Sequence, residues 1–130
     1  MEIQTIFVVG AGLMGSGIAQ TALQSGYTVI LNDQREEALD RARAGIASRL
    51  ERLVAKGTLT QEQKDDCLKR LTTDTRLAGA AKAELVIEAI FEDLNAKREV
   101  FQALDQICPA STIFASNTSS ISLTALGAAT

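Results

Sequence analysis

Three glycines stand between a strand-like run and a helix-like run near the start of the sequence, in the segment "TIFVVGAGLMGSGIAQ" (residues 5–20). The β-branched and aromatic residues from Thr5 to Gly10 predict a buried strand. The apolar residues from Leu13 to Ser25 recur on one helical face, and Gly26 marks the end of that helix. A second buried strand, Tyr27 to Asn32, follows at once. Strand, glycine turn, helix and strand within about 30 residues form a βαβ unit, which has a right-handed crossover and parallel strands.

The remaining sequence continues this alternation after a pair of helices. Apolar residues at spacings of three and four predict a long helix from Arg35 to Lys56, and a Thr-x-x-Gln capping box at Thr60 begins a second helix that ends near Leu71. Further strands are predicted at Thr72–Arg76, Glu84–Ile90 and Thr112–Ser116, and a further helix at Asp93–Ile107. The patterns predict a single α/β domain over residues 1–130, with a doubly wound parallel sheet and a helical hairpin inserted at about residues 35–71.

Composition narrows the classes of function. The 130 residues carry a formal net charge of −3 with the two signs interspersed, so no basic stripe suited to nucleic acid is present. No apolar run approaches the roughly 20 residues of a membrane span. Two separated cysteines, Cys67 and Cys108, are typical of structural thiols in a reduced, cytoplasmic protein. The sequence contains no histidine, which excludes imidazole as a general base or metal ligand within these residues. No metal site is predicted.

The motif "GAGLMG" is typical of a loop that binds a dinucleotide. Gly10 makes the tight turn out of the strand, Gly12 lets the backbone approach a pyrophosphate, and Gly15 lets the helix pack closely on the strand. Ala11, Leu13 and Met14 complete this loop, whose N–H groups and helix dipole face the phosphates. Its position between a strand and a helix of a βαβ unit is the context that supports this interpretation and predicts a Rossmann fold.

Asp33, at the end of the second strand, predicts the type of dinucleotide. An acidic side chain at this point accepts hydrogen bonds from the adenosine ribose and repels a 2′-phosphate, which favours NAD over NADP. Arg35 lies close by and would soften that preference. The alternative interpretation makes Asp33 a solvated loop acid or the N-cap of the following helix.

In an open α/β sheet, ligands gather beyond the carboxyl ends of the strands. Three strand ends are therefore predicted to converge, at Gly10–Gly15, at Ala89–Asp93 and at Ser116–Ser120. Near the second of them, Glu92 or Lys97 is a candidate contact for the nicotinamide half of the cofactor, and a surface ion pair at a helix start is the alternative. The hydroxyl-rich third end has its own alternative, in which a serine caps a short helix.

Three segments together resemble the L-3-hydroxyacyl-CoA dehydrogenases, in particular the bacterial 3-hydroxybutyryl-CoA dehydrogenases. They are "VVGAGLMGSGIAQ" (residues 8–20), "ELVIEAIFEDLNAK" (84–97) and "IFASNTSSISLT" (113–124), and the resemblance spans essentially all 130 residues. It implies hydride transfer between a 3-hydroxyacyl-CoA substrate and NAD, in either direction.

The resemblance also assigns roles to single residues. Gly10 to Gly15 would hold the pyrophosphate and Asp33 the adenosine ribose, with Ala89, Ile90, Glu92 and Lys97 lining the cofactor site. Ser119 matches a serine that hydrogen-bonds the substrate oxygen near the nicotinamide, and Asn117 lies in the same turn and helps to shape it.

The helical hairpin gains a function from the same resemblance. Lys56 matches a lysine that contacts coenzyme A, and Arg49 stands where some members of the family place a serine. The sequence by itself also fits a solvated helix face formed by Arg49, Arg52 and Lys56.

The family's catalytic histidine and its C-terminal helical domain, which carries the dimer contacts, have no counterpart in these 130 residues. The chain is therefore expected to be the N-terminal part of a longer, dimeric enzyme and to be inactive by itself. Two alternatives remain: a stand-alone dinucleotide-binding or interaction module, and a related NAD-dependent dehydrogenase of a non-CoA hydroxy acid.

Overall fold

A computed structural model describes residues 3–90 and 94–116 of the protein. Its centre is a five-stranded sheet in which every pairing is parallel. The strands, in chain order, are β1 (Thr5–Val9), β2 (Thr28–Asn32), β3 (Leu71–Asp74), β4 (Leu85–Glu88) and β5 (Ile113–Ser116). Their order across the sheet is β3-β2-β1-β4-β5. The chain builds outward from β1 in one direction and then in the other, which creates a topological switch point between β1 and β4. The predicted doubly wound parallel sheet is confirmed.

Four α-helices connect the strands: α1 (Leu13–Gln24), α2 (Glu36–Ala55), α3 (Gln61–Lys69) and α4 (Leu94–Ile107). Their bounds lie within two residues of the sequence-based expectation, apart from the predicted helix start at Asp93, which lies outside the described residues. A short 3₁₀ helix over Leu77–Lys82 was not predicted. It joins β3 to β4, across the middle of the sheet.

The sheet separates two apolar cores, because successive side chains of a strand point to opposite faces. In β1, Ile6 and Val8 face α1, α2 and α3, whereas Phe7 and Val9 face the 3₁₀ helix and α4. The first core is the larger one and also contains the fully buried side chains of Leu23, Val29, Leu31, Ile46 and Leu50. The layers are thus helix, sheet and helix, as a parallel sheet requires.

The pair of helices after β2 packs into the first core through α2. Ala42, Ile46 and Leu50 form a buried stripe within the first core, where α2 packs against α1 and α3. The capping box at the start of α3 is present, with the Thr60 hydroxyl accepting the Gln63 N–H at 3.1 Å and the Gln63 side chain accepting the Thr60 N–H at 2.9 Å. The predicted start signal of α3 therefore works as expected.

The start of β4 is fastened to the start of β1 by one carboxylate. Glu84 accepts the backbone N–H groups of Gln4 at 2.8 Å and of Thr5 at 2.9 Å. These bonds, that from Thr5 most of all, lower the pKa of Glu84 below its ordinary value. The two central strands are held in register at the end of the sheet opposite the glycine loop.

Both cysteines are free thiols, with Cys67 buried and Cys108 partly buried. Within the part of the chain that the structure describes, no helix has the length and apolar character needed to cross a membrane. The same residues contain no group of three acidic, cysteine or histidine side chains that would hold a metal ion.

Candidate cofactor site

The glycine loop between β1 and α1 packs backbone against backbone. Gly10 has a φ of +104°, and a Cβ atom there would lie 2.7 Å from the carbonyl oxygen of Ala89. A Cβ atom at Gly15 would lie only 1.7 Å from the carbonyl oxygen of Gly10. Side chains at these two positions would collide with main-chain atoms, which cannot move without displacing β4 or β1. Both glycines are therefore required by the packing of strand, loop and helix.

Gly12 is different, because a Cβ atom built on it would have no described atom within 4 Å apart from those of its chain neighbours. The space beside Gly12 is open, on the side from which a ligand would approach the loop. Gly12 is the N-cap of α1 and supplies no side-chain cap, and the first turn carries no acidic residue. The first N–H groups of α1 thus lack partners within the helix, and with the helix dipole they favour an anion such as a pyrophosphate.

The residues between the glycines differ in their exposure to solvent. Ala11 is buried, whereas the Leu13 and Met14 side chains are 88% and 54% exposed. The apolar side chains of Leu13 and Met14 are therefore open to solvent in the first turn of α1.

Asp33 is joined to the glycine loop. Its Oδ2 atom accepts the N–H of Ala11 at 3.0 Å, and its Oδ1 atom accepts the N–H of Arg35 at 3.0 Å. The side chain is 16% exposed and lies 3.7 Å from the Arg35 guanidinium, which is largely exposed. The structure therefore excludes a freely solvated acid, and the N-cap of α2 is Arg35 and not Asp33. Each carboxylate oxygen retains acceptor capacity for a ribose hydroxyl.

Beyond β4, the turn at Ala89 and Ile90 forms the second wall of the site. The Ala89 N–H donates to the Val9 carbonyl at 2.7 Å, and Ala89 is also the residue against which Gly10 packs. The Ile90 N–H donates to Oε2 of Glu88 at 2.5 Å. Ala89 and Ile90 are thus held beside the glycine loop, where the sequence placed them.

Glu88 is a residue of this wall to which the sequence analysis gave no role. Its side chain is fully buried at the carboxyl end of β4, between Val9 of β1 and Ser116 of β5 in the register of the sheet. A buried carboxylate is costly unless hydrogen bonds satisfy it, and the Ile90 N–H provides one of these bonds. An acidic residue at the end of the apolar run "ELVIEAI" was the signal available in the sequence.

The side chains of four predicted site residues lie outside the part of the chain that the structure describes. Glu92, Asn117 and Ser119 lie outside the described residues. Lys97 lies in the first turn of α4, and its side chain is also outside the description. The strand ends that lead to them are nevertheless neighbours, since Val9 pairs with Glu88 and Glu88 with Ser116. The roles of these four residues remain predictions.

The two residues predicted to meet coenzyme A differ in their surroundings. Lys56 follows the end of α2 and is exposed. Arg49 lies against α1, where its Nη2 donates to Oγ of Ser16 at 2.7 Å and its Nε donates to Oε1 of Gln20 at 2.5 Å. A solvated helix face thus describes Lys56 but not Arg49. Contact of either residue with coenzyme A remains a prediction.

The domain contains a βαβ unit whose glycine loop begins a helix at the switch point of a parallel sheet. An acidic residue ends the second strand of that unit. These features together define a Rossmann dinucleotide-binding domain. The family described as "3-hydroxyacyl-CoA dehydrogenase, NAD binding domain" matches residues 5–130, and the chain belongs to that family. The predicted family and the predicted cofactor, NAD, are confirmed.

Individual proteins similar to this chain are also 3-hydroxyacyl-CoA dehydrogenases or share their fold. A probable 3-hydroxybutyryl-CoA dehydrogenase of Bacillus subtilis is 44% identical over 130 residues, which are 100% of this chain and 45% of the relative. The crystal structure of 3-hydroxybutyryl-CoA dehydrogenase from Escherichia coli K12 is 45% identical with a TM-score of 0.89, over 97% of this chain and 27% of that one. A diketoreductase structure, described as acting on dicarbonyl compounds, is 34% identical with a TM-score of 0.80, over 97% and 45% of the two chains. The chain therefore spans less than half the length of these relatives.

Proposed function

We propose that the chain is the NAD-binding part of an enzyme that interconverts (S)-3-hydroxyacyl-CoA and 3-ketoacyl-CoA, with 3-hydroxybutyryl-CoA and acetoacetyl-CoA as the substrate pair. The observation that carries the proposal is the glycine loop at the switch point, tied to Asp33 and packed on Ala89. The names of the B. subtilis and E. coli relatives support the choice of substrate.

Each part of the described site has a task in this function. The N–H groups at Gly12 to Met14 bind the pyrophosphate, and Asp33 binds the adenosine ribose through the acceptor capacity that its two backbone bonds leave free. The Ala89–Ile90 turn supports the nicotinamide half, where Glu92 and Lys97 follow in the sequence. The site would hold NAD, which would supply the acceptor for the hydride from C3 of the hydroxyacyl group. Ser119 and Asn117 lie outside the described residues, and for them we propose the roles that the resemblance implies: Ser119 hydrogen-bonds the substrate oxygen, and Asn117 helps to shape its surroundings.

A general base is still required to take the proton from the 3-hydroxyl group. General-base catalysis contributes about 10²–10⁴-fold to a rate, and the 130 residues contain no histidine. We propose that the base comes from a part of the enzyme that these residues do not include, as the resemblance implies. That part would also carry the contacts of a dimer. The free thiols of Cys67 and Cys108 support a reducing compartment, and we propose the cytoplasm.

The acyl-CoA proposal is tested through Lys56, whose exposed ammonium suits a coenzyme A phosphate. We expect Lys56→Ala to weaken binding of CoA to the 130-residue chain about fivefold, the effect of one charged contact at an exposed site. Isothermal titration calorimetry measures the dissociation constant. Lys69→Ala, which removes an exposed lysine from α3, is the matched control and should leave CoA binding unchanged.

A second candidate function is favoured by one comparison. The diketoreductase shares the fold at 34% identity and is described as acting on dicarbonyl compounds, with no mention of coenzyme A. If the 130-residue chain binds NADH but shows no saturable heat with about 5 mM CoA, a non-CoA dehydrogenase becomes the better explanation. Equal binding of CoA by the Lys56→Ala and Lys69→Ala variants would instead remove Lys56 from the site.

A further inference from the structure

Arg49 connects the helical hairpin to the helix of the cofactor loop. It lies on α2, and its guanidinium donates two hydrogen bonds to α1, from Nη2 to Oγ of Ser16 at 2.7 Å and from Nε to Oε1 of Gln20 at 2.5 Å. Ser16 is 96% buried by the packing around it, with a relative exposure of 4%. Ser16 and Gln20 are four residues apart and share one face of α1. A planar guanidinium can donate hydrogen bonds to both side chains from separate nitrogen atoms, whereas a lysine ammonium has only one nitrogen atom.

The local sequence of α2 leaves room for this arrangement. Gly45 stands one turn before Arg49, and a Cβ atom on Gly45 would lie 3.2 Å from Nη1 of Arg49. Glycine weakens the interior of a helix, so its presence here needs a packing reason. A methyl group at Gly45 would crowd the guanidinium, which would have to shift by a few tenths of an ångström.

The hydrogen bond from Arg49 reaches α1 at a residue next to the cofactor loop. Ser16 directly follows Gly15, and the Ser16 N–H donates to the carbonyl oxygen of Gly12 at 2.9 Å. Arg49, Ser16 and Gly12 are therefore linked by two successive hydrogen bonds. The orientation of the first turn of α1 determines the direction of its free N–H groups. Because the guanidinium fixes this turn against α2, it also fixes the direction of those N–H groups.

We propose that Arg49 is a positioning residue for the dinucleotide loop: through Ser16 and Gln20 it fixes the N-terminal half of α1 against the hairpin. This inference rests on the proposed function, because it assigns Arg49 to the NAD site of that enzyme. It differs from the role that the family resemblance implies, in which this position touches coenzyme A. In the structure the guanidinium is directed at α1.

The test is a double-mutant cycle read by NADH affinity. We expect Arg49→Ala and Ser16→Ala each to raise the dissociation constant for NADH about fivefold, and the double variant to raise it by no more than the larger single effect. Arg49→Lys, which keeps the charge but reaches one acceptor, should recover part of the affinity. Arg43→Ala is the matched control: Arg43 also lies on α2 and donates to the protein, at 3.2 Å to the Leu71 carbonyl, but not to α1.

The possible outcomes separate the explanations. A loss of affinity in Arg49→Ala that neither Ser16→Ala nor Gln20→Ala shares would show that Arg49 does not act through these hydrogen bonds, and it would overturn the proposal. Unchanged NADH affinity with weaker CoA binding in Arg49→Ala would restore the coenzyme A role. An equal loss in Arg43→Ala would reduce the effect to general destabilisation of α2. If the wild-type chain binds no NADH, the proposed function itself fails, and the inference fails with it.

Discussion

Gly15→Ala is expected to destabilise the fold severely and to abolish cofactor binding. The added Cβ atom would lie 1.7 Å from the Gly10 carbonyl oxygen and 2.8 Å from the Gly10 carbonyl carbon. Both are main-chain atoms, so the clash is relieved only if α1 moves away from β1, which breaks the first core and the loop together. We expect a loss of at least about 3 kcal/mol in the free energy of unfolding, at the upper end of the cost of overpacking. Urea unfolding followed by circular dichroism measures it.

Gly12→Ala provides the matched comparison at the same loop. Among the described residues, no atom other than those of its chain neighbours lies within 4 Å of the added Cβ, and the φ of −70° suits alanine. The free energy of unfolding should change by less than about 1 kcal/mol, whereas NADH affinity should fall at least about tenfold because the methyl group occupies the approach to the pyrophosphate. Stable, NADH-binding Gly15→Ala protein would show that the backbone packing described for the loop is wrong.

Asp33→Ala is expected to produce the largest loss of affinity without loss of the fold. The carboxylate would no longer hold the Ala11 N–H, and it would no longer accept the ribose hydroxyls. Loss of hydrogen bonds to a charged group predicts a dissociation constant for NADH that rises about 30-fold or more. NADPH should suffer less, since the repulsion of its 2′-phosphate disappears while Arg35 remains. Parallel titrations with NADH and NADPH measure the ratio.

Asp74→Ala is the control for Asp33→Ala. Asp74 ends β3 beside β2, and its Oδ1 accepts the Arg76 N–H at 2.9 Å, the same local turn that Asp33 makes with Arg35. It makes no described bond to the glycine loop. Removal of Asp74 should therefore leave the preference for NADH over NADPH intact. If the ratio of the NADH and NADPH dissociation constants changed similarly in both variants, the effect would come from loss of the local turn and not from loss of a ribose contact.

The sequence predicted the parts of the fold that local patterns determine. The strand and helix bounds around Gly10 to Gly15 follow from apolar periodicity, and the start of α3 follows from the capping box at Thr60. These signals lie within a few residues of one another, so tertiary context did not override them. The doubly wound parallel sheet also followed, because the right-handed crossover rule leaves few topologies.

The long-range hydrogen bonds that side chains make in the site could not be predicted from local patterns. Asp33 meets Ala11 across 22 residues and Arg49 meets Ser16 across 33, and both depend on how closely two helices and a strand end pack. A charged residue such as Arg49 fits a solvated helix face equally well until the position of α1 is known. Glu88 was missed because one of its partners is a backbone N–H two residues on, which no side-chain pattern reveals.

Calorimetric titration of NADH into the 130-residue chain tests the central claim most directly, since it requires only the preformed loop and Asp33. We predict saturable binding of one NADH per chain with a dissociation constant below about 1 mM, and weaker binding of NADPH. Absence of any saturable heat with NADH up to about 5 mM, from protein shown to be folded by circular dichroism, would contradict it.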